Sequence, residues 1–127
     1  MTSLLAQDVK ISVVTEYVPQ QSQPEDDKYL YQYTITIANQ GAVAVTLLSR
    51  HWLITDGNGK VNEVQGDGVI GKTPTIEPGE SFTYTSAAML ETQMGTMQGC
   101  YTMNCELEER FQVTIPVFRL AVPGIVH

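Results

Sequence analysis

The chain has 127 residues, with 14 acidic and 7 basic side chains, 43% hydrophobic and 17% charged composition; this fits one compact domain over residues 1–127 and excludes a disordered chain. The longest uninterrupted apolar stretches, such as Ala42 to Val45, are far too short to cross a bilayer, and the cations Lys10, Lys28, Arg50, Lys60, Lys72, Arg110 and Arg119 stand singly. A membrane and nucleic acid are therefore excluded as partners, because a duplex-binding surface needs clustered positive charge.

Met1 to Ala6 lacks the basic residue and the apolar length of a secretory leader, which predicts a cytoplasmic protein. From Val9 onward the dominant signal is period-two alternation, the mark of half-buried strands. Val9, Ile11 and Val13 form the first run, and Tyr29, Tyr31, Tyr33, Ile35 and Ile37 the clearest one, with Gln32, Thr34 and Thr36 between them. Asn39-Gln40-Gly41 supplies turn chemistry. Ala42 to Leu48 is almost wholly apolar, and Trp52, Leu53 and Ile54 lead into Asp56-Gly57-Asn58-Gly59, a hairpin loop, with Lys60 to Val64 returning.

Thr73-Pro74 breaks the pattern, and Glu77-Pro78-Gly79-Glu80 predicts a type II turn. Ser81 to Ser86 alternates again with Phe82 and Tyr84 on one face, and a single helical turn is predicted near Ala87 to Leu90. Gly95 and Gly99 are expected to interrupt the next stretch, after which Tyr101 and Met103 share a face. Phe111, Val113, Ile115 and Val117 make the last strand, where Pro116 predicts an edge position or a bulge. Seven or eight such strands, spaced by turn signals, describe an all-β fold, an antiparallel β-sandwich or a barrel.

Chemistry is sparse in this pattern. Cys100 and Cys105, the only cysteines, lie on opposite faces if they share a strand, about 17 Å apart at roughly 3.3 Å per residue, so no disulfide joins them. Two cysteines also fall short of the four ligands of a structural zinc site, and His127, one of two histidines, is terminal. His51 is the one internal candidate base; in a strand it points away from Arg50 and Trp52, and a packed or hydrogen-bonded imidazole is the plainer expectation. No catalytic residue, metal site or cofactor is predicted. Glu25-Asp26-Asp27 and Glu106, Glu108 and Glu109 lack the ligand spacing of a calcium loop and read as solvated charge. Met89, Met94, Met97 and Met103 read as core filling around a glycine-bent segment.

Gly66-Asp67-Gly68-Val69-Ile70-Gly71 is a literal GxGxxG. In a dinucleotide site this turn opens a helix that receives the pyrophosphate, and here Pro74 and Pro78 forbid one. The expectation is a glycine loop between strands. The alternative is an anion nest of backbone amides from Gly66, Gly68 and Gly71 beside Lys72, which would take a nucleotide or pyrophosphate. For binding a protein partner the candidates are an exposed sheet face or the same Gly66 to Gly71 loop, and Arg50 and His51 are separate candidate surface contacts.

The ordered combination of Ser49-Arg50-His51-Trp52, Ile54 to Gly59, Gly66 to Gly71, Pro78-Gly79-Glu80, Tyr84-Thr85-Ser86 and Leu90, Thr92, Gly95, Met97, Gly99, Tyr101, Met103 resembles the bacterial ApaG family, from about Val9 to Leu120. The chain departs from that family in having Ala87 where glycine is common and Gln93 where proline is common. The resemblance implies a fibronectin type III-like sandwich and no enzymatic activity. It links the chain indirectly to cobalt resistance and magnesium efflux, and a chain that cannot span a bilayer would act there through a partner. Similar domains in F-box proteins and in a polymerase-delta-interacting protein look like protein-binding modules, and a pyrophosphate-binding role has also been suggested for the family's GxGxxG. The partner's identity and the oligomeric state are not legible.

Overall fold

A computed structural model describes residues 4–105 and 109–124; Glu106, Glu108 and His127, named above for their charge or ligand chemistry, lie outside them. After a short helix α1 (Leu4–Gln7), the chain forms β1 (Val9–Tyr17), β2 (Tyr29–Asn39), β3 (Val45–Asp56), β4 (Val61–Asp67), β5 (Thr75–Ile76), β6 (Ser81–Leu90), β7 (Met94–Cys105) and β8 (Arg110–Ala121). All pairings are antiparallel. One sheet has the order β1-β2-β6 and the other β4-β3-β7-β8, with β5 pairing a short stretch of β3. This is the predicted immunoglobulin/fibronectin type III-like sandwich.

Its core follows from the alternation. Tyr29, Tyr31, Tyr33, Ile35 and Ile37 all face inward from β2 and are buried. Opposite them Trp52 meets Tyr33, Tyr101 and Phe118 with ring centroids 5.6, 6.3 and 5.8 Å away in edge-to-face contacts, the arrangement aromatic quadrupoles favour. Two phenols close the inter-sheet space: the hydroxyls of Tyr84 and Tyr101 share a hydrogen bond in the interior. Burial pushes the Tyr84 phenol up to about 12, against the opposing effect of that bond, and moves Tyr101 in the same direction. Met97 and Met103 are fully buried, as core filling requires, while Met89 is exposed.

Several local expectations are corrected. Ala87 to Leu90 is not a helical turn: it continues β6 and pairs with β2 from Tyr29↔Leu90 to Gln32↔Ala87, burying Ala88 and Leu90. The inward-facing alternation outweighs the mild helix preference of Ala-Ala-Met-Leu. Gly95 and Gly99 do not interrupt β7; both lie inside it, opposite Asp56 and Trp52 of β3. A Cβ at Gly95 would stand 2.4 Å from the Thr55 carbonyl oxygen, and one at Gly99 1.9 Å from that of His51. They permit close backbone approach rather than ending pairing. Val117 does not share the inward face of Phe111, Val113 and Ile115. The β7–β8 register shifts between Met97 and Gly99, and the extra residue at Pro116-Val117 turns Val117 outward while Leu120 returns to the core. Pro116 thus has both a bulge and an edge strand.

Asn39, expected only as turn chemistry, is the one buried polar side chain among the described residues. Its amide nitrogen donates to the carbonyls of Val43 (2.8 Å) and Ile76 (2.9 Å), and its Oδ1 accepts from Gly41 N–H (3.0 Å). It therefore ties the β2–β3 connection to β5. The Glu77 to Glu80 turn is as predicted, with Gly79 at φ +82° and Glu80 N–H donating to the Glu77 carbonyl.

Candidate functional site

The glycine motif is built differently from a separate loop. β4 runs to Asp67, so Gly66 and Asp67 are strand residues paired with Arg50 and Ser49; the predicted return strand ending at Val64 is too short. Arg50 shares the inward side with Trp52, as expected from their spacing, and its positive charge is felt by the Tyr84 and Tyr101 phenols. From there the guanidinium lies across Gly66, where an added Cβ would sit 2.9 Å from both terminal nitrogens. It donates to the carbonyl oxygens of Asp67 (3.1 Å) and Gly68 (2.9 Å). The absence of a side chain at residue 66 is what makes room for this cation.

Beyond the strand the backbone closes on itself. Gly68 N–H donates to the Leu48 carbonyl (2.8 Å), Val69 N–H to Lys72 (2.8 Å) and Lys72 N–H to Val69 (2.9 Å). Ile70 and Gly71, with φ of +41° and +75°, form the two-residue tip of a tight turn between the bridged Val69 and Lys72. Gly68 has φ +61°, and a Cβ there would meet the Lys72 carbonyl at 2.1 Å. Each glycine of the GxGxxG therefore has a task inside the loop: a seat for Arg50, a close crossing, and a left-handed tip. Among the described residues the Ile70 and Gly71 amides have no acceptor.

Ile70 is the anomaly of the turn. A β-branched residue with positive φ is sterically disfavoured, and its side chain is 57% exposed, so burial does not compensate. Replacing it with asparagine, which tolerates the left-handed region, is expected to stabilise the fold by about 1 kcal/mol. Thermal unfolding checks this; an unchanged or lower midpoint would mean that Ile70 packs favourably enough to outweigh its backbone conformation.

On the outer face of the same sheet, Ser49, His51, Gln65, Asp67, Cys100 and Thr102 line an open depression of about 540 Å³. His51 and Cys100 are direct cross-strand partners, as are His51 and Gln65. His51 Nε2 lies 2.5 Å from Glu63 Oε2, and Gln65 donates to the same oxygen at 3.3 Å. Hydrogen bonds from His51 and Gln65 and the His51 charge hold the Glu63 carboxyl below its ordinary value. Because a lowered carboxylate favours the folded state only while ionised, its contribution is present above the ordinary value and lost as pH falls through the lowered one. In an NMR titration Glu63 should show a midpoint below an unpaired glutamate's, and His51→Gln should move it upward; an unmoved midpoint would mean the pair is not maintained in solution.

Cys105 is buried and Cys100 sits on the outer face, both as free thiols on opposite sides of β7. Among the described residues, no three His, Cys, Asp or Glu side chains converge in a way that could hold a metal ion. No helix there is long and apolar enough to cross a membrane. The sequence reading named Gly66, Gly68, Gly71 and Lys72 as one loop and Arg50 and His51 separately as surface contacts; the pairing of β3 with β4 brings the two groups to one end of the sheet. It missed Glu63, the partner of His51. That residue lies opposite Leu53 in register, one diagonal step from His51, and was recoverable only by aligning the hairpin.

A profile described as the ApaG domain matches residues 19–105. A Shewanella protein described as Protein ApaG is 54% identical over 125 residues, covering 98% of this chain and 99% of its own. The Protein ApaG of Pseudomonas putida is 55% identical over 119 residues, covering 94% of each. A structural-genomics target solved by X-ray crystallography, 53% identical, matches with a TM-score of 0.92 over 97% of this chain and 93% of that one. A Bordetella pertussis protein provisionally described as ApaA, 45% identical, matches with a TM-score of 0.91 over 93% and 96% of the two chains.

Proposed function

This chain belongs to the ApaG family, and we propose that it acts as a non-enzymatic interaction domain that modulates a protein partner in the cytoplasm. The observation that carries this reading is Ile70, an apolar β-branched side chain displayed to solvent from a left-handed turn. Strained, exposed apolar groups of this kind stand where binding, not stability, is selected. The closed loop behind it is a rigid mount, since Arg50 and the Gly68 N–H fasten it to β3 while the Val69 and Lys72 amides close it on itself. In this reading the link with cobalt resistance and magnesium efflux is exerted through the partner.

Affinity capture from a cell extract tests the proposal: proteins retained by the wild type at several salt concentrations should be depleted when Ile70 is replaced by asparagine. Equal retention by both, or none by either, would overturn it.

A second reading takes the Ile70 and Gly71 amides with Lys72 as a small anion site for a nucleotide or pyrophosphate. Its support is the pair of amides without an acceptor among the described residues. Against it stand the three neighbouring amides already bonded internally and the Arg50 guanidinium turned to carbonyl oxygens. Calorimetric titration with di- and polyphosphate nucleotides, with and without magnesium, decides it; saturable heat with shifts at Ile70 and Gly71 would favour this reading over the first.

A further inference from the structure

We propose that the free edge of β4 docks an extended, lysine- or arginine-bearing segment of a partner protein as an added antiparallel strand, a mode that rests on the interaction-domain reading above. In antiparallel pairing alternate residues direct both backbone groups to the same neighbour. The Asp56 N–H to Lys60 carbonyl bond at one end and the Gly68 N–H to Leu48 carbonyl bond at the other fix the phase. Even-numbered residues of β4 bond to β3. Val61, Glu63 and Gln65 therefore turn their N–H and C=O groups outward, and the strand is exposed along nearly its whole length.

The other edge of this sheet is unsuited to such pairing, because β8 carries Pro116 and a bulge. β4 has neither proline nor bulge. Of the six exposed large hydrophobic residues among those described, Val61, Val64 and Ile70 follow the β4 edge and its loop, whereas Val14, Met89 and Val117 stand apart on β1, β6 and β8.

Charge decides the occupant. Residues 61–71 contain Glu63 and Asp67 and no basic residue, and both carboxylates belong to the outer-face positions that an added strand's side chains would flank. A second copy would set like charges together on chains that each carry a formal charge of -7. A segment alternating apolar and basic residues sets its basic side chains on the face of Glu63 and Asp67 and its apolar ones on the face of Val64, opposite Trp52 in register.

The test uses the whole protein and a synthetic peptide of about nine residues, one strand's length, alternating valine and lysine. Its glutamate counterpart and a version N-methylated at alternate residues serve as controls. Two-dimensional amide spectra should show saturable shifts at Val61, Glu63 and Gln65, with affinity about tenfold or more lower for both controls. Gln65→Pro removes an outward N–H that β3 does not use and should weaken the valine-lysine peptide equally; the N-methylated peptide reports on the same hydrogen bonds without altering the fold. Undiminished binding of either control, shifts spread over the surface or centred elsewhere, the absence of saturable binding, or a concentration-dependent dimer dispersed by Gln65→Pro would each overturn the proposal. If affinity capture depends on Ile70 yet retains the same proteins on wild type and Gln65→Pro, the interaction domain stands and this docking mode falls.

Discussion

Gly99→Ala is expected to cost more than about 3 kcal/mol of folding stability, because its added carbon would make the tightest contact of any described glycine's. The added Cβ would lie 1.9 Å from the His51 carbonyl oxygen and 3.2 Å from the Trp52 Cα. Both are backbone atoms, and no rotamer change can move them. Relief requires β3 and β7 to separate, and that movement would carry Trp52 away from Tyr33, Tyr101 and Phe118. Denaturant unfolding measures the loss directly. Gly59→Ala is the matched control, since that glycine has positive φ but nothing within 4 Å of its added carbon; it should cost only about 1 kcal/mol. Similar losses for the two variants would show that the close approach of β3 and β7 is not a constraint on the fold.

Asn39→Ala should be nearly as damaging, at about 3 kcal/mol. It leaves the Gly41 N–H and the carbonyls of Val43 and Ile76 without the partner they have now. A buried unsatisfied group costs more than a single hydrogen bond contributes, because water cannot replace the lost partner. Asn39→Asp separates the parts: it keeps an acceptor for Gly41, removes both donors and brings a carboxylate into the interior. Its loss should equal or exceed that of alanine at neutral pH. Unfolding midpoints for the two variants within about 1 kcal/mol of the wild type would mean that the β2–β3 connection and β5 are held by other contacts.

These two residues mark the border of what the sequence makes legible. Tyr29 to Ile37 advertised its inward face through strict alternation, and Pro78-Gly79 its turn through φ preferences, because both signals are local. Gly99 looked like an interruption because a glycine's function in a strand is set by the neighbouring backbone, here His51, which lies far away in sequence. Asn39 read as a turn residue for a similar reason: its partner Ile76 belongs to β5, and nothing near residue 39 announces it. Val117 followed the alternation of its own strand until the bulge against β7 reversed it.

The candidate site divides in the same way. The glycines, Lys72, Arg50 and His51 were visible as residue types, and the hairpin at Asp56 to Gly59 implied that β3 and β4 are neighbours. The direction of the loop's hydrogen bonds was not. GxGxxG specifies where glycine is needed, and that need is met equally by an approaching phosphate or by an approaching guanidinium. Here Arg50 lies over Gly66 and Lys72 O crowds Gly68. The strain at Ile70 was likewise hidden, since a β-branched residue between Val69 and Gly71 gives no sign of a left-handed φ.

The measurement that reaches the central claim most directly is amide hydrogen exchange on the wild-type protein, alone and with the partner recovered by Ile70-dependent capture. Slowed exchange at Val61, Glu63 and Gln65, extending to the Ile70 turn, is the predicted result. Protection confined to β1, β6 or β8, with the β4 edge and the turn exchanging as in the unbound chain, would contradict the account.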